Sequence, residues 1–282
     1  MAAESRSFKR LVVGLQPRAA EHMARFSVEL AEMLKLDLLG LFLEDESLYD
    51  LASIPFAREL RLLGGGWHPI DRGQLSRDLE LAAQAAEKAF ADAAKHLETG
   101  RRFEVARGPL ISSIAAISQT SDIVVIGEPS SAAERATQQF SWLIDAAFRS
   151  EAAVLIVPRR IARVQGPVVA VASTPVDPSI AMALDIAVAG SEDLIIVDVC
   201  DKAIDQARLE ALGAERDVTV KHVVGGRGAA TDAALLVHAL QPLRERLVVM
   251  TRSTSDGHAA LSIAVARGVP VLVVEPRQLP PG

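Results

Sequence analysis

Short runs rich in β-branched and aliphatic residues recur along the chain, and the first, KRLVVGL (9–15), has no polar residue alternating inside it. Runs of this kind suit parallel strands covered on both faces. KRLVVGL (9–15), LLGLFLED (38–45), FEVARG (103–108), DIVVIGE (122–128) and AAVLIVP (152–158) predict five such strands. Between them, one-face apolar spacing predicts helices. Met23, Phe26, Leu30 and Leu34 mark the first; Leu75, Leu79, Ala86, Phe90, Ala93 and Leu97 mark a long one, with Gly100 placed to close it by a left-handed cap. A short helix is predicted over 110–118, and a fourth helix by Phe140, Leu143, Ile144 and Ala147.

The pattern then starts again. GPVVAVAS (166–173), DLIIVDV (193–199), VTVKHVVG (218–225), RLVVMT (246–251) and VPVLVVE (269–275) predict a second set of five strands. Asp177 is suited to cap a helix that opens on Pro178 and continues through Ile180, Leu184 and Val188. Residues 231–240 read as helix, and Leu261, Ala264 and Val265 lie on a last helix stopped by Gly268. Strands alternating with helices imply an α/β chain of two tandem domains, 1–160 and 161–282, each a five-stranded, mostly parallel sheet with helices on both faces. The second copy is shorter: its first strand follows the first copy's by 157 residues (Leu11 to Val168), its fifth by 117 (Val154 to Val271). The polar junction RRIARVQG (159–166) is short, so the halves should pack closely.

Composition narrows the function classes. Lys and Arg number 30 against 36 Asp and Glu, a net charge of −6, and the basic residues form only doublets such as Arg101–Arg102 and Arg159–Arg160. Such a chain gains little from a phosphate backbone, so no nucleic-acid partner is expected. One cysteine, Cys200, leaves no intrachain disulfide and no cysteine metal site, and the histidines show no HExxH spacing. GxSxG, Walker A and GxGxxG are absent. No apolar run approaches the ~20 residues that span a bilayer, and the first ten residues carry no apolar signal region. The expectation is a cytoplasmic protein without membrane insertion, metal or catalytic residues.

The five-strand order, the KRLVVGL opening, the DIVVIGE strand ending in glycine and the helix leading into AAVLIVPRR resemble the universal stress protein family in its tandem form. The resemblance implies two Rossmann-like domains of the adenine nucleotide alpha hydrolase-like type, pairing within the chain as a pseudo-dimer along 152–158 and 269–275. Nucleotide-binding members of that family are known for a G-x2-G-x9-G-[ST] loop after strand four, whose glycines bring backbone amides to phosphate. Here Gly127 and Ser141 match its ends, but Ser130 and Phe140 stand at the second and third glycine positions, and Gln16, followed by Pro17, replaces the family's acidic residue after strand one. In the second copy Ser173 takes that acidic position, strand four ends in Thr251, and the loop before Gly257 and His258 is short. The resemblance therefore implies a stress-response or regulatory protein that acts through an unknown protein partner or a small ligand, with no cofactor expected. The alternative is an ATP- or AMP-binding protein, or a slow ATPase, working from the first domain. A flavoprotein-like relative of the same superfold is a third reading, and a homodimer of the whole chain stays open.

Open parallel sheets bind ligands outside the carboxyl ends of their strands. That rim makes Gln16, Pro17, Leu41, Gly108, Gly127, Glu128, Ser130, Ser141, Ser173 and Thr251 the candidate ligand-binding residues, with Gly225, Gly226 and Arg252 beside them. The long connection 44–74 carries Phe56, Trp67 and His68. It reads either as a partner-binding flap anchored by Trp67 or as a loop packing its own aromatics on the domain.

Overall fold

All ten predicted strand runs pair into a single sheet. The computed structural model describes residues 8–14, 20–61, 66–108, 119–129, 138–199, 204–226, 228–229, 232–252 and 257–275. The first half runs β1 (Arg10–Gly14), α1 (Ala20–Leu34), β2 (Asp37–Asp45), α2 (Glu46–Ser53), β3 (Arg58–Arg61), β4 (Gly66–Pro69), α3 (Arg72–Ala93), β5 (Arg101–Gly108), β6 (Asp122–Gly127), α4 (Gln138–Arg149) and β7 (Ala153–Val157). The second half runs β8 (Val168–Ala172), α5 (Pro178–Gly190), β9 (Leu194–Asp198), α6 (Gln206–Glu215), β10 (Val220–Val224), α7 (Ala233–Leu240), β11 (Leu247–Thr251), α8 (Gly257–Arg267) and β12 (Val271–Val274). The helix expected over 110–118 lies outside the described residues.

The sheet has ten strands in the order β10-β9-β8-β11-β12-β7-β6-β1-β2-β5. Each half contributes the same sequence of five parallel strands, and the halves meet where β12 and β7 pair antiparallel, Val271 opposite Ile156 and Val273 opposite Val154. Both faces of the eight inner strands are covered, which is why those strands read as apolar runs; the edge strands β5 and β10 carry polar residues and are partly exposed. Leu11 and Val13 turn to the layer of α1, α3, α5 and α6, where Met23, Leu30, Phe90, Leu184 and Leu209 are buried. Val12 turns to the layer of α4, α7 and α8, with Phe140, Ile144, Leu236 and Leu261.

Local chemistry sets the helix ends. Asp177 accepts the Ser179 amide and Pro178 opens α5; Asp71 accepts the Gln74 amide at the start of α3. Gly268 closes α8 at φ +63°, as expected. Gly100 does not close α3, which ends at Ala93. Leu97 lies beyond the helix yet is buried in the core, so apolar spacing carried the expected helix one turn too far. Gly100 answers a different need: its amide donates to Asp37 Oδ1 at 2.8 Å, and a Cβ there would press on the same carboxylate. The 44–74 connection is not a loop. It holds α2 and the β3–β4 ribbon, a separate two-stranded sheet, and Phe56 and Trp67 are exposed rather than packed on the domain.

The junction packs closely, as its length implied. Arg163 donates to the Glu245 and Arg267 carbonyls at 2.7 and 3.1 Å, and the fully buried Glu245 carboxylate takes Arg267 at 2.8 Å. Nearby, Arg246 pairs with Glu192 and reaches Met33 of α1. Burial pushes the Glu192 carboxyl up from its ordinary value, against the pull of Arg246. A raised folded-state pKa favours the native state at low pH and loses that contribution as pH rises through the raised value. The expected outcome is that Glu192→Gln flattens the fall in stability between mildly acidic and neutral pH, checked by urea unfolding across that range. A methyl group at Gly257 would collide with Ile144 of α4. Gly257→Ala should therefore destabilise the protein by about 1–3 kcal/mol by forcing α8 off α4, measured by the same unfolding.

Candidate functional site

In the first half the register of the sheet makes a step at the carboxyl rim. Gly14, the last residue of β1, pairs with Leu41, while β2 and β5 continue side by side to Asp45 and Gly108. Leu41 is thus an interior residue, 2% exposed; the rim expected there lies four residues further on. At that step Glu44 and Arg107 are cross-strand partners. The buried Glu44 carboxylate accepts from Arg107 Nε at 2.8 Å and from the Tyr49 hydroxyl at 3.3 Å. The Arg107 guanidinium lies 4.8 Å from the Tyr49 ring centroid. Gly108 ends β5 at φ +146°. At the end of β6, a Cβ on Gly127 would stand 2.9 Å from Met23 Sδ. Glu128 accepts the Arg159 amide at 3.0 Å. Gln16, Pro17 and Ser130 lie outside the described residues.

Ser141 is half-buried near the start of α4, where an open pocket of about 380 Å³ runs between α4 and α8. Phe140, Ser141, His258, Leu261, Ser262 and Val265 line it. Phe140 is only 8% exposed and belongs to the core layer that also holds Val12 and Leu41. The ring anchors the first turn of α4 in that layer and forms part of the pocket wall.

The second half's rim is paired with itself. The Ser173 amide and hydroxyl both donate to Asp177 Oδ2 at 2.9 Å, Asp177 Oδ1 accepts from the Ser179 amide at 3.0 Å, and the Ser179 hydroxyl donates to the Val171 carbonyl. The positive end of α5 therefore carries the chain's own carboxylate. Asp198, buried at the end of β9, accepts the Ile204 amide and lies 3.2 Å from His222 Nε2. Thr251 is 1% exposed. Arg252 is turned across the β7–β12 boundary: its guanidinium donates to the Phe148 carbonyl in the last turn of α4 and to the Ala152 carbonyl just before β7, and pairs with Glu275 at 2.7 Å. Burial lowers its pKa from the ordinary value.

The geometry can be set beside known structures. A universal stress protein from Archaeoglobus fulgidus superimposes with a TM-score of 0.65 at 13% identity, covering 95% of this chain and 97% of its own. A protein of Pseudomonas aeruginosa assigned to the same family gives a TM-score of 0.54 at 14% identity, covering 97% and 95%. The chain has the universal stress protein fold. The cytoplasmic domain of a prokaryotic cation chloride cotransporter also superimposes, with a TM-score of 0.51 at 12% identity over 94% of each chain. No protein-family model and no curated protein matches the sequence.

On this universal stress protein fold, the structure brings Ser173 and Asp177 together at one rim and Ser141 and His258 into one pocket. The Glu44–Tyr49–Arg107 and Asp198–His222 groupings were not expected; the one available signal was the strand-end position of Glu44 and Asp198. Among the described residues no group of three or more His, Cys, Asp or Glu could hold a metal ion. Removing Asp177 should uncap α5 and strand both Ser173 donors. Asp177→Ala is expected to destabilise the protein by about 1–2 kcal/mol, checked by urea unfolding against a surface aspartate control.

Proposed function

We propose that the chain is a non-enzymatic regulatory protein of the universal stress protein type. Its two domains, residues 1–160 and 161–282, work as an intrachain pseudo-dimer in the cytoplasm, binding a protein partner or small ligand rather than turning over ATP. The observation that carries this is the internal pairing of polar groups at the second half's rim. Ser173, which stands at the position of the family's acidic residue, donates from its amide and its hydroxyl to Asp177, and Arg252, next to Thr251 in the sequence, caps α4. A triphosphate needs donors that are open to it. Among the described residues no helix is long and apolar enough to cross a membrane. The likeness to a transporter's cytoplasmic domain supports service to a partner, because that domain uses the same fold as part of a larger protein.

A second function, adenine-nucleotide binding or slow ATP hydrolysis by the first domain, is favoured by the open pocket beside Ser141. Isothermal titration with ATP, AMP and cyclic AMP separates the two. Binding weaker than about 1 mM for all three is the expected result. A micromolar ATP affinity that disappears in Ser141→Ala would reverse the order of the two proposals.

A further inference from the structure

Between β2 and α3 the first half carries an excursion that the second half lacks, since β9 leads to α6 within residues 199–205. Its outward side is apolar. Leu48 and Leu51 of α2 are exposed, as are Ile54, Phe56 at 83% and Trp67 at 64%. The Ile54 amide donates to the Leu51 carbonyl at 3.2 Å and the Ala57 amide to the Ile54 carbonyl at 3.0 Å, and the Ile70 amide closes the base of the ribbon on Ala57. Helix α2 and the ribbon thus form one continuous surface. A two-stranded ribbon is marginal in water by itself, and clustered exposed apolar side chains mark contact surfaces.

The charges around this surface identify its occupant. Helix α2 exposes Glu46 and Asp50; the ribbon end exposes Arg58 and Arg72, and the Asp71 carboxylate beside Arg72 is engaged as the cap of α3. Arg58 pairs with Pro69, which stands two residues from Trp67, so strand alternation puts Arg58 on the Trp67 face. Glu59 pairs with His68 on the opposite face. A surface that is apolar in the middle, acidic on the helix and basic on the ribbon complements itself after a half-turn. An anionic lipid surface would instead select a uniformly basic rim.

We propose that the α2–ribbon surface is a homodimer interface, closed by a second copy of this chain about a twofold axis. The apolar side chains of the two copies meet at its centre, and Glu46 and Asp50 of each copy face Arg58 and Arg72 of the other. Sedimentation of the full chain at moderate salt should show a species of twice the 30.0 kDa chain mass. Phe56→Ser with Trp67→Ser should weaken dimerisation by at least about 100-fold. Asp50→Arg alone should weaken it by roughly 10-fold, and Asp50→Arg with Arg58→Asp in the same chain should restore it. All substituted positions are exposed, and circular dichroism and thermal melting verify that the variants fold. A wild-type monomer at concentrations up to about 100 μM, a dimer indifferent to the Phe56 and Trp67 changes, or a charge reversal that is not rescued would each overturn the proposal. So would loss of vesicle binding, in place of loss of dimer, on removing the two aromatics.

Discussion

The antiparallel pairing of β7 with β12 is the contact on which the architecture turns. Each half alone would end in an open, fully apolar edge strand, Ala153–Val157 in one and Val271–Val274 in the other, with every residue buried. Such edges invite uncontrolled pairing. By hydrogen-bonding to each other they become the centre of a ten-stranded sheet. The surrounding packing follows from that union. Gly257 lets α8 approach Ile144 of α4, and Arg252 reaches from the end of β11 to the last carbonyls of α4. Its positive charge sits where the helix dipole is negative.

The fold was largely legible in the sequence because burial on both faces leaves a strong mark on the inner strands, runs of Val, Ile and Leu that the partly exposed edge strands β5 and β10 do not show. The caps at Asp177 and Gly268 were legible for the same kind of reason, a local rule with no competing tertiary demand. Where tertiary packing intervened, local signals misled. Leu97 keeps helical spacing but is buried from a turn, and Gly100 is glycine because Asp37 approaches it. Helix α2 and the ribbon were hidden inside a stretch of mixed polarity, since neither buries a full apolar face.

The site was less legible. Strand-end position could be read, but not how far each strand runs past its neighbour, and that register decides that Leu41 is interior while Glu44 and Arg107 meet. Pairings between residues 63 to 105 positions apart, such as Glu44 with Arg107 and Arg252 with Ala147, leave no trace in spacing. Phe140 shows what alignment by motif leaves out: at a glycine position of the family's loop, its ring is packed in the core and also borders the pocket.

One consequence of the antiparallel boundary concerns direction. Strands of the two halves run oppositely across it, so their carboxyl rims open at opposite ends of the same slab. Gly127 and Ser173, at strand ends of the two halves, thus lie at opposite edges of the sheet. A ligand or partner seated on one rim would therefore meet the strand ends of one half alone, on a sheet that the two halves share.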